Sequence, residues 1–322
     1  MKLFDSFQRR IDYLRISVTG RCNLRCIYCM PPEGIPRMPH SEVLSYEEIS
    51  TVAQVGAELG INRIRLTGGE PLVRAELPKL VGMLSRIEGI SEVSLTTNGT
   101  FLKRYARELK EAGLRRVNVS LDTLKADRFR YITRLGELKD TLDGIEAARN
   151  VGLQPVKINT VVLRGINDDE VLDFASMTYK EGWHVRFIEL MPFTKVAEFV
   201  PSSELRQRIM LFGPLEPCSP IIGSGPARYY RLPGARGTIG FISPIAEPFC
   251  SSCNRIRLTS NGQLCSCLLS DGGIDLKGPL RSNVSMPEVE RLILRVIASK
   301  LKQHYLAEGI VPMKRNMSQI GG

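Results

Sequence analysis

Residues 22–29 read CNLRCIYC, which sets Cys22, Cys26 and Cys29 in a C-x3-C-x2-C pattern with Tyr28 directly before the last cysteine. Three thiolates on one short loop can hold three irons of a four-iron cubane, leaving the fourth iron without a protein ligand. Iron–sulfur clusters ordinarily take four cysteines, so a missing fourth marks a place where a small molecule binds. A zinc knuckle is the competing reading, but zinc sites close with four nitrogen or sulfur ligands and favour C-x2-C pairs. The three histidines, His40, His184 and His304, all lie far from this loop in sequence. Buried free thiols that merely pack occur singly rather than in threes.

Outward from that loop, short β-rich runs alternate with helical stretches between Tyr13 and about Leu190. The candidate strands are YLRISV from Tyr13, RIRLT from Arg63, EVSLTT from Glu92, RVNVSL from Arg116, PVKINTVV from Pro155 and HVRFIEL from His184. Each is rich in Val, Ile or Leu, and most are bounded by turn-forming residues. Glu47 to Leu59 and Leu77 to Ile87 carry apolar residues at helical spacing. Ser45 with Glu48 three residues on reads as a capping box. Six strand–helix units predict an α/β fold, a parallel sheet curled into a partial (β/α)6 barrel, too few for the complete eight-fold barrel. Gly68, Gly69, Glu70, Asn98 and Ser120 follow strand ends, where such a fold places its site.

The pattern changes after Pro192, and Pro and Gly become dense from Gly213 to Gly240. A boundary near 212 divides the chain into residues 1–212, the partial barrel, and 213–322, a C-terminal α+β region. In the second part RYYRL and TIGFIS read as strands, and Ser260-Asn261-Gly262 as a hairpin turn between RIRLT and QLCSC. Met286 to Tyr305 reads as one helix, and the end, Gly321-Gly322, as a flexible tail.

The 322 residues allow a large core. Hydrophobic residues at 43 % and charged residues at 24 % are ordinary for a globular protein. No apolar run is long enough to cross a membrane, and the N-terminus lacks a secretory signal, so the expected location is cytoplasmic. Eight cysteines in a reducing compartment point to metal rather than disulfides. The net charge of +10 has no Lys/Arg tract and no aromatic stacking stripe, which argues against nucleic acid and for a solvated surface plus a phosphorylated small molecule.

Cys250 and Cys253 form a second C-x2-C, followed by Cys265 and Cys267. By spacing alone a second cluster with an open iron and a closed four-thiolate zinc site are equally supported. Cys218 stands alone and reads as a packing thiol. Arg255 and Arg257 alternate on the strand after Cys253 and so share one face. Arg15, Arg65 and Lys157 are basic side chains within otherwise apolar strands. Burying them without a partner is costly, so an anionic ligand is the expected partner.

The N-terminal LRISVTGRCNLRCIYCMP carries the motif of the radical S-adenosylmethionine (SAM) superfamily. Together with IRLTGGEPL, LTTNG, RVNVSLD, VRFIELM, FCSSCNRIRLTSNGQLCSCL and the terminal IGG, it resembles the GTP 3′,8-cyclases in order over residues 10 to 322. The resemblance implies a radical SAM cyclase that converts GTP to (8S)-3′,8-cyclo-7,8-dihydroguanosine 5′-triphosphate in molybdenum cofactor biosynthesis. It implies two [4Fe–4S] clusters, on Cys22, Cys26 and Cys29 and on Cys250, Cys253 and Cys267, with SAM as cosubstrate. It assigns Tyr28, Gly69, Ser120 and Met191 to SAM, and Arg15, Arg65, Thr96, Lys157, Arg255 and Arg257 to GTP. Cys22, Cys26, Cys29, Arg255 and Arg257 form the catalytic set. The partners it implies are a flavodoxin- or ferredoxin-like reductant, the next pathway enzyme cyclic pyranopterin monophosphate synthase, and a second copy in a homodimer, with no nucleic acid and no membrane. Other radical SAM enzymes with auxiliary clusters, such as peptide or sulfatase maturases, are the alternative. Cys265 and Gly20 depart from the family pattern, which usually has other residues there.

Overall fold

The structure, a computed structural model, describes residues 2–308 apart from Lys195, Ser224, Asp271 and Asn283. The Gly321-Gly322 tail lies outside the described residues. In chain order the elements are β1 Tyr13–Ser17, α1 Tyr46–Leu59, β2 Arg63–Thr67, α2 Leu77–Ser85, β3 Glu92–Thr97, α3 Leu102–Glu111, β4 Arg116–Ser120, α4 Ala126–Thr133, α5 Leu138–Asn150, β5 Lys157–Val162, α6 Val171–Lys180 and β6 His184–Glu189. There follow α7 Ser202–Met210, β7 Glu216–Cys218, β8 Arg228–Arg231, β9 Thr238–Ile242, β10 Arg255–Leu258, β11 Gln263–Cys265, β12 Ile274–Asp275, α8 Lys277–Arg281 and α9 Met286–Ala298.

All six expected strands form, and they pair in sequence order, β1 to β6, in parallel. The C-terminal region does not build a sheet of its own. β9 adds in parallel beside β6 and β10 in parallel beside β1, so the sheet runs on past both edges of the six-strand core. Short hairpin strands complete it, giving the order β12-β11-β10-β1-β2-β3-β4-β5-β6-β9-β8-β7. Local sequence shows RIRL and TIGFI as strands but cannot show these partners, which lie hundreds or tens of residues away.

The pleat divides each strand into two faces. One carries Leu14, Ile16, Ile64, Leu66, Val117, Val119 and their neighbours, all buried against the outer helices in a single core. The other carries most of the chain's candidate site residues. The helices that cover the first face start and stop where their ends demand. In α1, Ser45 Oγ accepts from Glu48 N at 3.0 Å while Glu48 Oε2 accepts from Ser45 N at 2.6 Å. Gly60 ends it at φ 109°, a left-handed conformation that costs glycine little. Removing the Ser45 hydroxyl would cost about 1 kcal/mol.

The expected helix over 286–305 is shorter than its apolar pattern. α9 ends at Ala298, and Leu301 is exposed. Lys300 leaves the helical path to bury its side chain under the C-terminal cysteines, where three acceptors replace the bonds that another helical turn would offer.

Candidate active site

The strand ends that follow Ser17, Thr67, Thr97 and Ser120 form one end of the barrel, and the C-x3-C-x2-C loop lies over them. The loop is pinned from below: Arg25 N and Ile27 N donate to Thr133 O and Ile132 O, each at 2.9 Å. Cys26 O accepts from Cys29 N at 2.9 Å, which turns the chain tightly between these two cysteines. Cys22 Sγ accepts from Leu24 N at 3.3 Å and lies 3.9 Å from Asn98 Nδ2.

Gly68 and Gly69 allow the turn after β2 to touch this loop. A Cβ at Gly69 would stand 2.3 Å from Arg21 O, and one at Gly68 would stand 2.5 Å from Thr19 O. Backbone packing against Arg21 excludes a side chain at Gly69. Beside it Glu70 is buried, accepting from Leu72 N, Thr97 Oγ1 and Asn98 N at 3.0, 2.7 and 2.7 Å. Burial pushes its carboxyl up to about 7 against those three bonds. The Tyr28 hydroxyl donates to Asp122 Oδ2 at 2.6 Å, and Asp122 Oδ1 accepts from Val161 N at 2.8 Å. Burial raises Asp122 to about 6. Burial also raises the thiols, Cys22 to about 11 and Cys26 well above the ordinary range.

Cys253 lies two residues before the start of β10 and Cys267 two residues after the end of its antiparallel partner β11, so the second group sits by the opposite ends of the parallel strands. Cys250, Cys253 and Cys267 line one cavity of about 70 Å³ together with Arg255, Arg257 and Met191. Cys265 does not line it; it is fully buried on β11, opposite Arg257. Among the described residues no three Cys, His, Asp or Glu side chains converge on a position for one metal ion. A tetrahedral zinc site requires such convergence. A cubane does not, because each thiolate binds a different iron. Burial would raise the Cys253 thiol, but the charges of Arg255 and Lys300 outweigh it and hold the group below its ordinary value.

Between the two ends, the inner face is lined with cations. Arg15 is registered with Arg65 on one side and Arg257 on the other, and Arg255 with Tyr13. Arg186, on β6, faces Gly240 of β9. Burial and the neighbouring arginines lower the affinity of these groups for their protons: Arg65 falls to about 10, Arg257 to about 10 and Lys157 to about 6. Lys157 Nζ donates to Ile222 O at 2.6 Å and stands over the Tyr229 ring. Against these charges stands Glu92, which accepts from Arg116 Nη2 at 2.6 Å. Nε and Nη1 of Arg116, Nε and Nη2 of Arg186 and Nε of Arg255 are buried without a hydrogen-bond partner. Several guanidinium N–H groups left unpaired in one interior fit a polyanion with many acceptor oxygens.

Arg15, Arg65, Thr96, Lys157, Arg255 and Arg257 thus share one face and one interior, and Ser120 ends a strand of the same face. Thr96 Oγ1 accepts from Asn118 Nδ2 at 3.2 Å. Met191 lines the cavity of the second cysteine group. Sequence reasoning missed Arg116, Arg186, Asp122 and Lys300. Arg186 gives the same signal as Lys157, a basic residue within an apolar strand, and Arg116 opens its strand as Lys157 does. Asp122 and Lys300 carry no local signal.

Residues 16–178 match the family described as the radical SAM superfamily, and residues 183–306 match molybdenum cofactor synthesis C. Proteins named GTP 3′,8-cyclase from Moorella thermoacetica and Pelotomaculum thermopropionicum are each 52 % identical, with 99 % of this chain and 99 % of each relative covered. A GTP 3′,8-cyclase from Peptoclostridium acidaminophilum is 50 % identical, over 99 % of this chain and 98 % of the relative. Among solved structures, Streptococcus suis SuiB bound to its precursor peptide SuiA superposes with a TM-score of 0.64 at 13 % identity, over 90 % of this chain and 65 % of that one. SuiB bound to S-adenosylmethionine gives 0.60 at 13 % identity, over 83 % and 64 %. At that identity the likeness is one of fold.

Proposed function

This chain belongs to the GTP 3′,8-cyclase family of radical SAM enzymes, and we propose how its residues divide the work. The reaction is the conversion of GTP to (8S)-3′,8-cyclo-7,8-dihydroguanosine 5′-triphosphate, the first step of molybdenum cofactor biosynthesis. In our reading Cys22, Cys26 and Cys29 hold one [4Fe–4S] cluster, whose open iron takes SAM. Cys250, Cys253 and Cys267 hold a second, whose open iron is left to the guanine ring. When bound, the first cluster and SAM supply a 5′-deoxyadenosyl radical able to take the hydrogen from C3′ of GTP.

The protein's own task is position. Arg15, Arg65, Lys157, Arg255 and Arg257 grip the triphosphate and base from four strands, with Thr96 beside them on a fifth. Charge-assisted bonds contribute about 1.5–3 kcal/mol each, enough together to set the nucleotide's height between the two cysteine groups. Reacting atoms must be held about 3–3.5 Å apart. Gly69, Ser120, the Tyr28 backbone and Met191 serve SAM, and the Tyr28–Asp122 bond fixes the cysteine loop that carries Tyr28. The buried interior keeps water from the reacting carbon. The electron source in this reading is a flavodoxin- or ferredoxin-like protein, and cyclic pyranopterin monophosphate synthase receives the product. The enzyme works in the cytoplasm, as a homodimer, without nucleic acid or membrane; no helix among the described residues is long and apolar enough to cross one.

The observation that carries this reading is the cationic interior placed between two three-cysteine groups. The test is anaerobic reconstitution with iron and sulfide, then incubation with SAM, a reductant and GTP. The expected result is cyclised nucleotide with about one SAM cleaved per product. SAM cleavage without a GTP-derived product would defeat it.

A further inference from the structure

Lys300 is buried, at 5 % exposure, and all three of its ammonium protons have acceptors. Nζ lies 2.9 Å from Ser266 O, 3.0 Å from Arg255 O and 3.4 Å from Cys253 Sγ. Ser266 directly precedes Cys267, and Arg255 is two residues past Cys253. One ammonium thus ties together both segments that carry cysteines of the second group and also touches one sulfur. No carboxylate pairs with it among the described residues. A buried ammonium without a counter-charge is costly, and two carbonyls and a thiol do not supply one. A cubane on three thiolates is a net anion and does.

The surroundings hold Lys300 in this place. Ser299 caps α9 by donating to Arg295 O at 3.0 Å, and Lys300 N donates to Ile297 O at 3.2 Å. Just beyond, Arg9 donates to Leu301 O, Lys302 O and Cys250 O at 2.7, 3.0 and 2.8 Å. Arg9 is itself held by Asp5 at 2.6 Å. The N-terminal segment and the chain after α9 therefore close on the second cysteine group from two sides. Cys22 in the first group accepts instead from neutral donors, Leu24 N and the Asn98 amide.

We propose that Lys300 is a positioning residue for the second cluster, its fixed charge and its bond to the Cys253 sulfur making that cluster easier to reduce and harder to lose. This rests on the two-cluster reading above. Hydrogen bonds to sulfur and nearby charge are established levers on cluster potential, and a cation favours the state that has gained an electron.

The experiment uses the full chain with Cys22, Cys26 and Cys29 replaced by Ala, so that only the second cluster reports. Lys300→Gln and Lys300→Arg are made in that background and reconstituted. Iron, sulfide and zinc are counted, and the midpoint potential is read by EPR-monitored titration. Lys300→Gln is expected to shift the potential negative by about tenfold in the reduction equilibrium, ~59 mV for one electron, with Lys300→Arg close to the parent. Loss of the cluster from the Gln variant and its retention in the Arg variant also supports the proposal. An unchanged potential in Lys300→Gln, or equal shifts or equal loss of cluster in both variants, overturns it. Zinc instead of iron in the parent chain would instead refute the two-cluster reading.

Discussion

At the upper end of the barrel Cys22 and Cys26 stand near buried carboxyls, Glu70 and Asp122, whereas at the lower end Cys253 stands beside Lys300 and Arg255. Burial disfavours the thiolate in both places. At Cys22 the Leu24 and Asn98 hydrogen bonds and the charge of Arg25 offset it only in part, whereas at Cys253 the charges of Arg255 and Lys300 more than offset it. Cys22 and Cys253 therefore sit in opposite fields, while Cys250 in the lower group is still pushed up by burial. If each group holds a cluster as proposed above, the one near Glu70 and Asp122 would be the harder to reduce and, once reduced, the stronger donor. The lower group is suited to holding a substrate in place. The contrast also explains the distribution of charge in the sequence: the basic strand residues lie between the ends, where a triphosphate would bridge them.

The largest test exchanges one whole site at a time. Replacing Cys22, Cys26 and Cys29 together with Ala should abolish SAM cleavage and leave about four irons. Replacing Cys250, Cys253 and Cys267 should leave SAM cleavage measurable while cyclised GTP disappears. The contrast between the ends breaks if both variants lose SAM cleavage alike. Next in size is the choice of third ligand below. Cys267→Ser should lose the lower cluster by iron count, and Cys265→Ser should keep it, since Cys267 lines the cavity and Cys265 does not. The reverse outcome would move the ligand to β11.

A smaller effect sharpens the electrostatic half of the comparison. Lys157 titrates near 6 in the free interior, mainly through burial and then the charges of Arg186 and Arg116. At pH 8 it is neutral, and a triphosphate would restore its proton. GTP binding should then take up as much as about one proton, read by calorimetry in two buffers of different ionisation enthalpy. Lys157→Met should remove that uptake and weaken GTP by about 1.5–3 kcal/mol. The sign for stability follows from the same shift. Between about 6 and 10.5 the unfolded chain binds the extra proton, so this group makes the nucleotide-free protein more stable as pH rises through that window. The smallest effect is at Tyr28. Tyr28→Phe leaves Asp122 with the Val161 N–H as its remaining bond of the two and should raise the KM for SAM several-fold, a loss of about 1 kcal/mol, with iron content unchanged. An unaltered KM would show that the tyrosine hydroxyl does not position the loop.

Legible in the sequence were the six parallel strands, the first three-cysteine loop and the inward Arg15, Arg65, Arg255 and Arg257. Alternation within a strand and spacing within a loop are local patterns, so Arg255 and Arg257 could be placed on one face before any contact was known. The Ser45 capping box is legible for the same reason. Tertiary structure alone decided the rest. It put β9 and β10 on the two edges of the core sheet, it separated Cys267 from Cys265, and it brought Met191 to the cavity of the lower cysteines. It also ended α9 at Ala298, so that Lys300 turns inward to the sulfur of Cys253 and Asp122 meets the Tyr28 hydroxyl at the other end. Those pairings join residues 47 and 94 positions apart, and their energy comes from excluding water around polar groups. No short stretch of sequence contains both partners, so no local pattern could reveal them.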